Sequence, residues 1–199
     1  MSSKAMATLI ESLTKLPGVG TKTAARLAYH IVDMSADDVA ALADAIRNIK
    51  TETHTCAICF TTIDSDREIC EICESAARDE KTICVVKDAK DLDAIEHADF
   101  YHGKYHVTGG LISPMAGTTQ EDIRMNELLE RVRKSGVTEV IVALEPSVEG
   151  NITAGFIAKM LKPFDVKVTK LAQGMAVGAD FAGTDSVTIA RAIENRVPV

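Results

Sequence analysis

Residues 82–97 read TICVVKDAKDLDAIEH. The first five, Thr82-Ile83-Cys84-Val85-Val86, form a nearly continuous apolar run, which predicts a strand buried on both faces. Lys87 ends that run. Asp88 then opens a stretch of helical spacing that reaches His97. A buried strand feeding directly into a helix is the repeating unit of a parallel α/β sheet. The alternation continues outward toward the C-terminus. Tyr105-His106-Val107-Thr108 reads as a second strand. Thr118 and Glu121 have the spacing of a capping box for a helix running through Lys134. Glu139–Leu144 (EVIVAL) is the strongest strand signal in the chain, Glu149–Leu161 is helical, and Val166–Leu171 is a further strand. Residues 80–172 are therefore expected to form an α/β domain with a mostly parallel sheet. A Gly-rich stretch leads from there to a last helix over 184–195, within a short C-terminal segment, 173–199.

Working outward toward the N-terminus, residues 55–79 are polar and too short to bury much apolar surface. Their signal is Cys56-x2-Cys59, ten residues, then Cys70-x2-Cys73. Each pair has the reach of a knuckle that offers two sulfurs to one ion, and two knuckles close a tetrahedral shell. That donor set suits a structural Zn²⁺ with no open position for catalysis. The ion would stand in for the core that this segment lacks. His54 reads as a helix-end residue rather than a fifth ligand, and Cys84 as a core residue of its strand.

Residues 1–54 read as helical. AMATLIESLTK (5–15) places Leu9, Ile10 and Leu13 on one face. Leu16-Pro17-Gly18-Val19-Gly20 breaks that helix, and Thr21 is the expected cap of a second one. The second helix carries Ala24, Ala25, Leu27, Ala28 and Ile31 inward. Ser35 and Asp38 open a third, with a stripe of Val39, Leu42, Ala43 and Ile46. Two glycines at the bend allow a tight hairpin. The backbone N–H groups at the start of the second helix then face outward, a setting that favours phosphate. Lys22 and Arg26 lie four apart and add positive charge to the same face. This is the layout of a helix-hairpin-helix, which grips the sugar-phosphate backbone without reading bases. The competing reading of the same residues is a plain αα corner. Gly18, Val19, Gly20, Lys22 and Arg26 are the candidate DNA contacts.

Acidic residues cluster where the α/β strands end. Asp88 and Asp91 follow the first strand, and Glu145 and Glu149 follow EVIVAL. Taken alone, such acids are the usual complement of helix N-termini. Together Asp91, Glu145 and Glu149 make an acidic patch that is the candidate Mg²⁺ site. His97, His102 and His106 are too spread for a metal site and read as surface residues.

Composition limits the rest. The chain has 199 residues, 46% of them hydrophobic and 4% aromatic with no Trp, so a base-stacking platform is disfavoured. The net charge of −7 argues against a uniformly basic surface, yet residues 1–34 hold four basic groups and two acidic ones. Residues 55–80 invert that balance, with two basic and seven acidic groups, a run suited to a basic protein partner. No apolar run approaches the roughly 18 residues of a membrane helix, and Glu11 interrupts the N-terminal apolar stretch, so a cytoplasmic protein is expected. Nothing matches a P-loop.

The order of parts is itself a signature. LPGVGTKTAARLAYHI (16–31), the four cysteines, YHGKYHVTGGLISPMAG (101–117), EPSVEGNITA (145–154) and LAQGMAVGADFAGTD (171–185) together resemble the bacterial RecR family of recombination mediators. The resemblance covers nearly the whole chain. It implies that the α/β part is a Toprim domain and that the protein is a non-enzymatic DNA-repair factor. It also implies work with RecO, and in many bacteria RecF, to help load RecA onto single-stranded DNA. Ring-like tetramers that can encircle DNA, built through N- and C-terminal contacts, are implied as well, so a homo-oligomer, dimer or tetramer, is expected. The alternative carried beside it is a Mg²⁺-dependent nuclease or primase-like enzyme. The chain departs from the family pattern at Lys87, where Glu is usual, at Glu145, where an uncharged residue is usual, and at Gln173 and Ala176. Glu145 is expected to restore part of the acidity that Lys87 removes.

Overall fold

A computed structural model of the chain describes residues 3–198. Residues 1–2 and 199, at the outer ends of the expected 1–54 and 173–199 segments, lie outside the described residues. The chain divides into two compact units that meet at Thr53 and His54.

The first unit holds three helices, α1 (Lys4–Leu13), α2 (Thr21–Asp33) and α3 (Ala36–Glu52). Ser3 caps α1 by accepting the Met6 N–H at 3.2 Å, and Ser35 caps α3 by accepting that of Asp38 at 3.1 Å. The expected cap of α2 is corrected by one residue. Gly20 is the N-cap, with no side-chain acceptor, and Thr21 is the first helical residue. Ala24 and Ala28 are fully buried, with Ala25, Leu27 and Ile31 half-buried beside them, so α2 seats on small residues as its pattern predicts. The stripe on α3 behaves differently. No described residue of α3 is buried, and Leu42, Ile46 and Ile49 are 42%, 67% and 55% exposed.

The second unit begins with a small Cys-bearing module. β1 (Thr53–Thr55) pairs with β2 (Thr62–Asp64), and a single helical turn, α4 (Glu71–Glu74), follows. The α/β part comprises β3 (Asp79–Val86), α5 (Ala89–His97), β4 (Gly103–Val107), α6 (Met125–Ser135), β5 (Glu139–Val142), α7 (Val148–Leu161) and β6 (Lys167–Lys170). All four strands are parallel, in the order β4-β3-β5-β6. Alternation along β3 sorts the two faces. Ile83 and Val85 join Val140, Val142, Leu128, Val132, Ile157 and Leu161 in a core under α6 and α7. Cys84 and Val86 join Leu92, Tyr105 and Val107 under α5, where Phe60 and Ile72 of the Cys module also pack. Cys84 is thus core, as its neighbours predict.

Two expectations fail in detail. Thr118 does not cap α6; it bridges Ser113, and the reciprocal pair is Thr119 and Asp122, which closes a turn before the helix begins at Met125. His106 is not a surface residue but fully buried. The last helix, α8 (Ser186–Glu194), is capped by the Asp185 carboxylate on the N–H groups of Val187 and Thr188.

Candidate nucleic-acid interface and metal centre

The bend between α1 and α2 follows from four residues. Leu16-Pro17-Gly18-Val19 closes on a hydrogen bond from the Val19 N–H to the Leu16 carbonyl at 3.1 Å. Gly18 sits at φ +78°, left-handed backbone that a Cβ would strain, while Pro17 pre-sets the position before it, as a type II turn requires. The first bond of α2 runs from the Ala24 N–H to the Gly20 carbonyl at 2.9 Å. The N–H groups of Thr21, Lys22 and Thr23 therefore precede the helix's own acceptors, and with glycine at the cap no side chain takes them. Gly18, Gly20, Lys22 and Arg26 are all exposed, and Val19 is half-buried. Among the described residues neither Lys22 nor Arg26 is paired with a carboxylate. The structure redistributes the expected donors. Val19 spends its N–H inside the turn, and Thr21 and Thr23 contribute N–H groups that the sequence reading did not single out.

The four cysteines converge. The sulfurs of Cys56, Cys59, Cys70 and Cys73 all lie within 4.8 Å of one another, close enough to hold one metal ion. Backbone N–H groups of Ile58 and Cys70 point at the Cys56 sulfur, at 3.5 and 3.4 Å, and that of Cys73 at the Cys70 sulfur, at 3.3 Å. Such donors stabilise thiolate, the form that ligates metal. Hydrogen bonding with Cys59 and then Cys73 lowers the Cys70 thiol, while hydrogen bonding with Cys70 and Cys73 and then burial raise that of Cys59. An all-sulfur, closed donor set of this kind fits Zn²⁺. His54 is not among the convergent groups; its ring bonds the Arg67 carbonyl instead.

Three contacts fasten this module to the outer edge of β4. The Val107 N–H donates to the Cys59 carbonyl at 2.8 Å. Lys104, 5% exposed, donates its ammonium to the carbonyls of Ile72, Cys73 and Ser75 at 3.0, 3.1 and 2.7 Å. Phe60, at φ +65°, sets its ring edge-on to His106 at 5.5 Å and beneath the Arg124 guanidinium at 4.4 Å. His106 Nε2 meets the Arg124 carbonyl at 2.8 Å, Nδ1 has no partner among the described residues, and burial lowers its pKa to about 4. Sequence reasoning missed Lys104, His106 and Arg124, whose partners are remote in the chain.

The acidic patch does not gather. Among the described residues the four cysteines form the one group of three or more His, Cys, Asp or Glu side chains close enough for a metal ion. Glu145 instead accepts from Lys87, Nζ to Oε2 3.1 Å, and Lys87 Nζ also lies 3.8 Å from Asp88 Oδ2. Glu145 is thus paired with the Lys87 ammonium at the strand ends.

The comparisons with known proteins agree with this anatomy. Residues 6–50 match the family model described as "RecR, helix-hairpin-helix", and residues 81–172 match that of the Toprim domain. Recombination protein RecR of Streptococcus pneumoniae strain CGSP14 is 47% identical over 191 residues, 96% of this chain and 96% of that protein. The RecR proteins of serotype 19F strain G54 and of strain 70585 match to the same extent. The chain belongs to the RecR family. It has the RecR order of parts: helix-hairpin-helix, four-Cys site, Toprim domain with a parallel sheet, and a C-terminal helix. No described helix is long and apolar enough to cross a membrane. A Toprim domain implies Mg²⁺ at its strand ends. The residues here do not fit that ion, because among the described residues no three carboxylates converge there and the Lys87 ammonium lies 3.1 Å from Glu145 and 3.8 Å from Asp88.

Proposed function

We propose that the protein is a non-enzymatic recombination mediator that holds DNA by its backbone, through Gly18, Val19, Gly20, Lys22 and Arg26, without sequence preference. The observation that carries this is the exposed bend itself, where unpartnered N–H groups at a helix N-terminus sit with two unpaired cations. Phosphate contacts of this kind fix position without reading bases. The ion in the Cys56/Cys59/Cys70/Cys73 site is Zn²⁺, in a purely structural role. The working division is a DNA-contacting region (1–54), a zinc finger (55–79), a Toprim domain (80–172) and an oligomerisation segment (173–199). RecO, and RecF where present, are the protein partners, and loading of RecA on single-stranded DNA is the outcome, in the cytoplasm. Asp64, Asp66 and Glu68 offer a negative face to a basic partner. The open stripe of α3 and the exposed Phe181, Val187 and Ile193 of the C-terminal segment supply apolar surface for a ring of copies. Such a ring adds weak sites together, which reconciles DNA binding with a net charge of −7. A nuclease or primase-like reaction needs carboxylates converging on metal ions, and the Lys87–Glu145 pair opposes that.

The test is a gel shift with Lys22→Ala/Arg26→Ala. Loss of at least about tenfold in affinity is expected, with a salt slope shallower by about 2 per engaged chain. A folded double variant that binds like wild type would sink the hairpin as the main contact.

A further inference from the structure

The chain leaves β3 for β4 on one side of the sheet and returns to β5 on the other, so the carboxyl ends of β3 and β5 form the sheet's switch point. Ligands of open α/β sheets sit in that crevice. In this protein side chains of its own fill it. Lys87, the residue after β3, reaches Glu145, just beyond β5, at 3.1 Å and Asp88 at 3.8 Å. The backbone beneath both partners is fixed. The Val86 and Lys87 carbonyls accept the N–H groups of Thr108 and Gly109, each at 2.9 Å. The Glu145 carbonyl accepts the Ser147 N–H at 2.8 Å, and its Oε1 accepts the Ser147 hydroxyl at 3.2 Å. Gly150 lies so close that a Cβ there would come within 1.9 Å of the Glu145 carbonyl oxygen. Asp88 uses Oδ1 to cap α5 through the Asp91 N–H at 3.0 Å, leaving Oδ2 to face Lys87. The hydrogen bond to Glu145, and then the charges of Glu145, Asp88 and Asp91, keep Lys87 protonated.

We propose that Lys87 is the resident cation of this crevice: its ammonium lies between the strand-end carboxylates of Glu145 and Asp88, and the domain holds these acidic loops together without Mg²⁺. The ammonium supplies a directional N–H donor to Glu145 and attracts Asp88, at 3.8 Å, through its charge alone. It also repels a second cation at the same place, and Mg²⁺ needs several oxygens closely arranged around it.

The experiment is Mn²⁺ titration of the full-length, zinc-loaded protein followed by electron paramagnetic resonance, with thiolate sites already filled and poorly suited to Mn²⁺. Wild type is expected to bind no Mn²⁺ below about 1 mM, and Lys87→Glu to bind it at least about tenfold more tightly. Lys87→Glu/Glu145→Lys, which returns a cation to the crevice, should lose that binding again. If circular dichroism shows Lys87→Glu unfolded, Lys87→Gln takes its place with the same direction expected. Wild-type binding as tight as the variant's and abolished by Glu145→Gln would overturn the proposal. So would a folded Lys87 variant that gains nothing, or a charge-swapped protein that keeps the gain. The readout is metal rather than DNA, so its outcome is independent of the hairpin's role.

Discussion

At the scale of single residues, two buried polar side chains hold the metal module to the sheet. Lys104 is one. Its ammonium satisfies carbonyls left open at the end of α4, and Lys104→Met would strand three of them. A loss of roughly 2–4 kcal/mol is expected, read by urea unfolding of the zinc-loaded protein; a change under about 0.5 kcal/mol would contradict the role. His106 is the other. Burial holds its pKa near 4, below its ordinary 6.5, so the folded protein refuses a proton that the unfolded chain accepts. Its contribution is present above pH 6.5 and fades as pH falls toward 4, by about 1.4 kcal/mol per unit at most. The stability gap between wild type and His106→Asn should therefore shrink through that window, and a gap that stays constant would refute this. Neither residue was legible beforehand. Lys104 meets carbonyls 29 to 32 positions away, and the closure of Phe60 over His106 leaves no local mark. The cysteines were legible because ligand spacing is a local property.

At the scale of elements, strands and helices were legible where apolar periodicity ran long, as in β3, β5 and α7. Their ends were less so, because a cap is settled by one hydrogen bond. Thr21 has the right side chain for a cap, but Gly20 lies one position nearer the turn that Gly18 forces, and the helix starts there. Thr118 is drawn out of the capping role by pairing with Ser113 across a short bridge, and α6 starts seven residues later, at Met125, with Arg124 as an N-cap that makes no side-chain hydrogen bond. The stripe on α3 was read correctly as a stripe, yet no single-chain pattern says whether a stripe is covered from within. The Cys module is the element most dependent on something outside its own sequence. Its sulfurs are buried around a small cluster of Ile63, Ile69 and Ile72, too little apolar surface to fold it alone. Stripping zinc with a strong chelator, or Cys70→Ser, should lower Tm by on the order of 10 °C and expose residues 54–78 to protease. An unchanged melting curve would show that the module stands without its ion.

At the scale of the whole molecule, charge and function appear opposed, and assembly reconciles them. On the proposed reading, a chain of net charge −7 with two cations at one bend would grip DNA weakly and in a salt-sensitive way. In the proposed ring several bends would engage the same strand, so dissociation would require all to release together. The exposed Leu42 and Ile46 of α3 belong to this scale. Leu42→Glu/Ile46→Glu should reduce the assembled mass while leaving the circular dichroism of the chain intact, and unchanged assembly would remove α3 from the contact. The overall order of parts was legible because each leaves its own mark: a glycine bend, two Cys pairs, and strand–helix alternation. The pairing of Lys87 with Glu145 was not, since it joins residues 58 positions apart and only the strand order brings them together. The most direct test of the whole account is mass in solution by light scattering, across a range of concentrations, with and without DNA. The account predicts a complex of several copies that takes up DNA and loses it in Lys22→Ala/Arg26→Ala. A single chain at every concentration, indifferent to DNA, would contradict it.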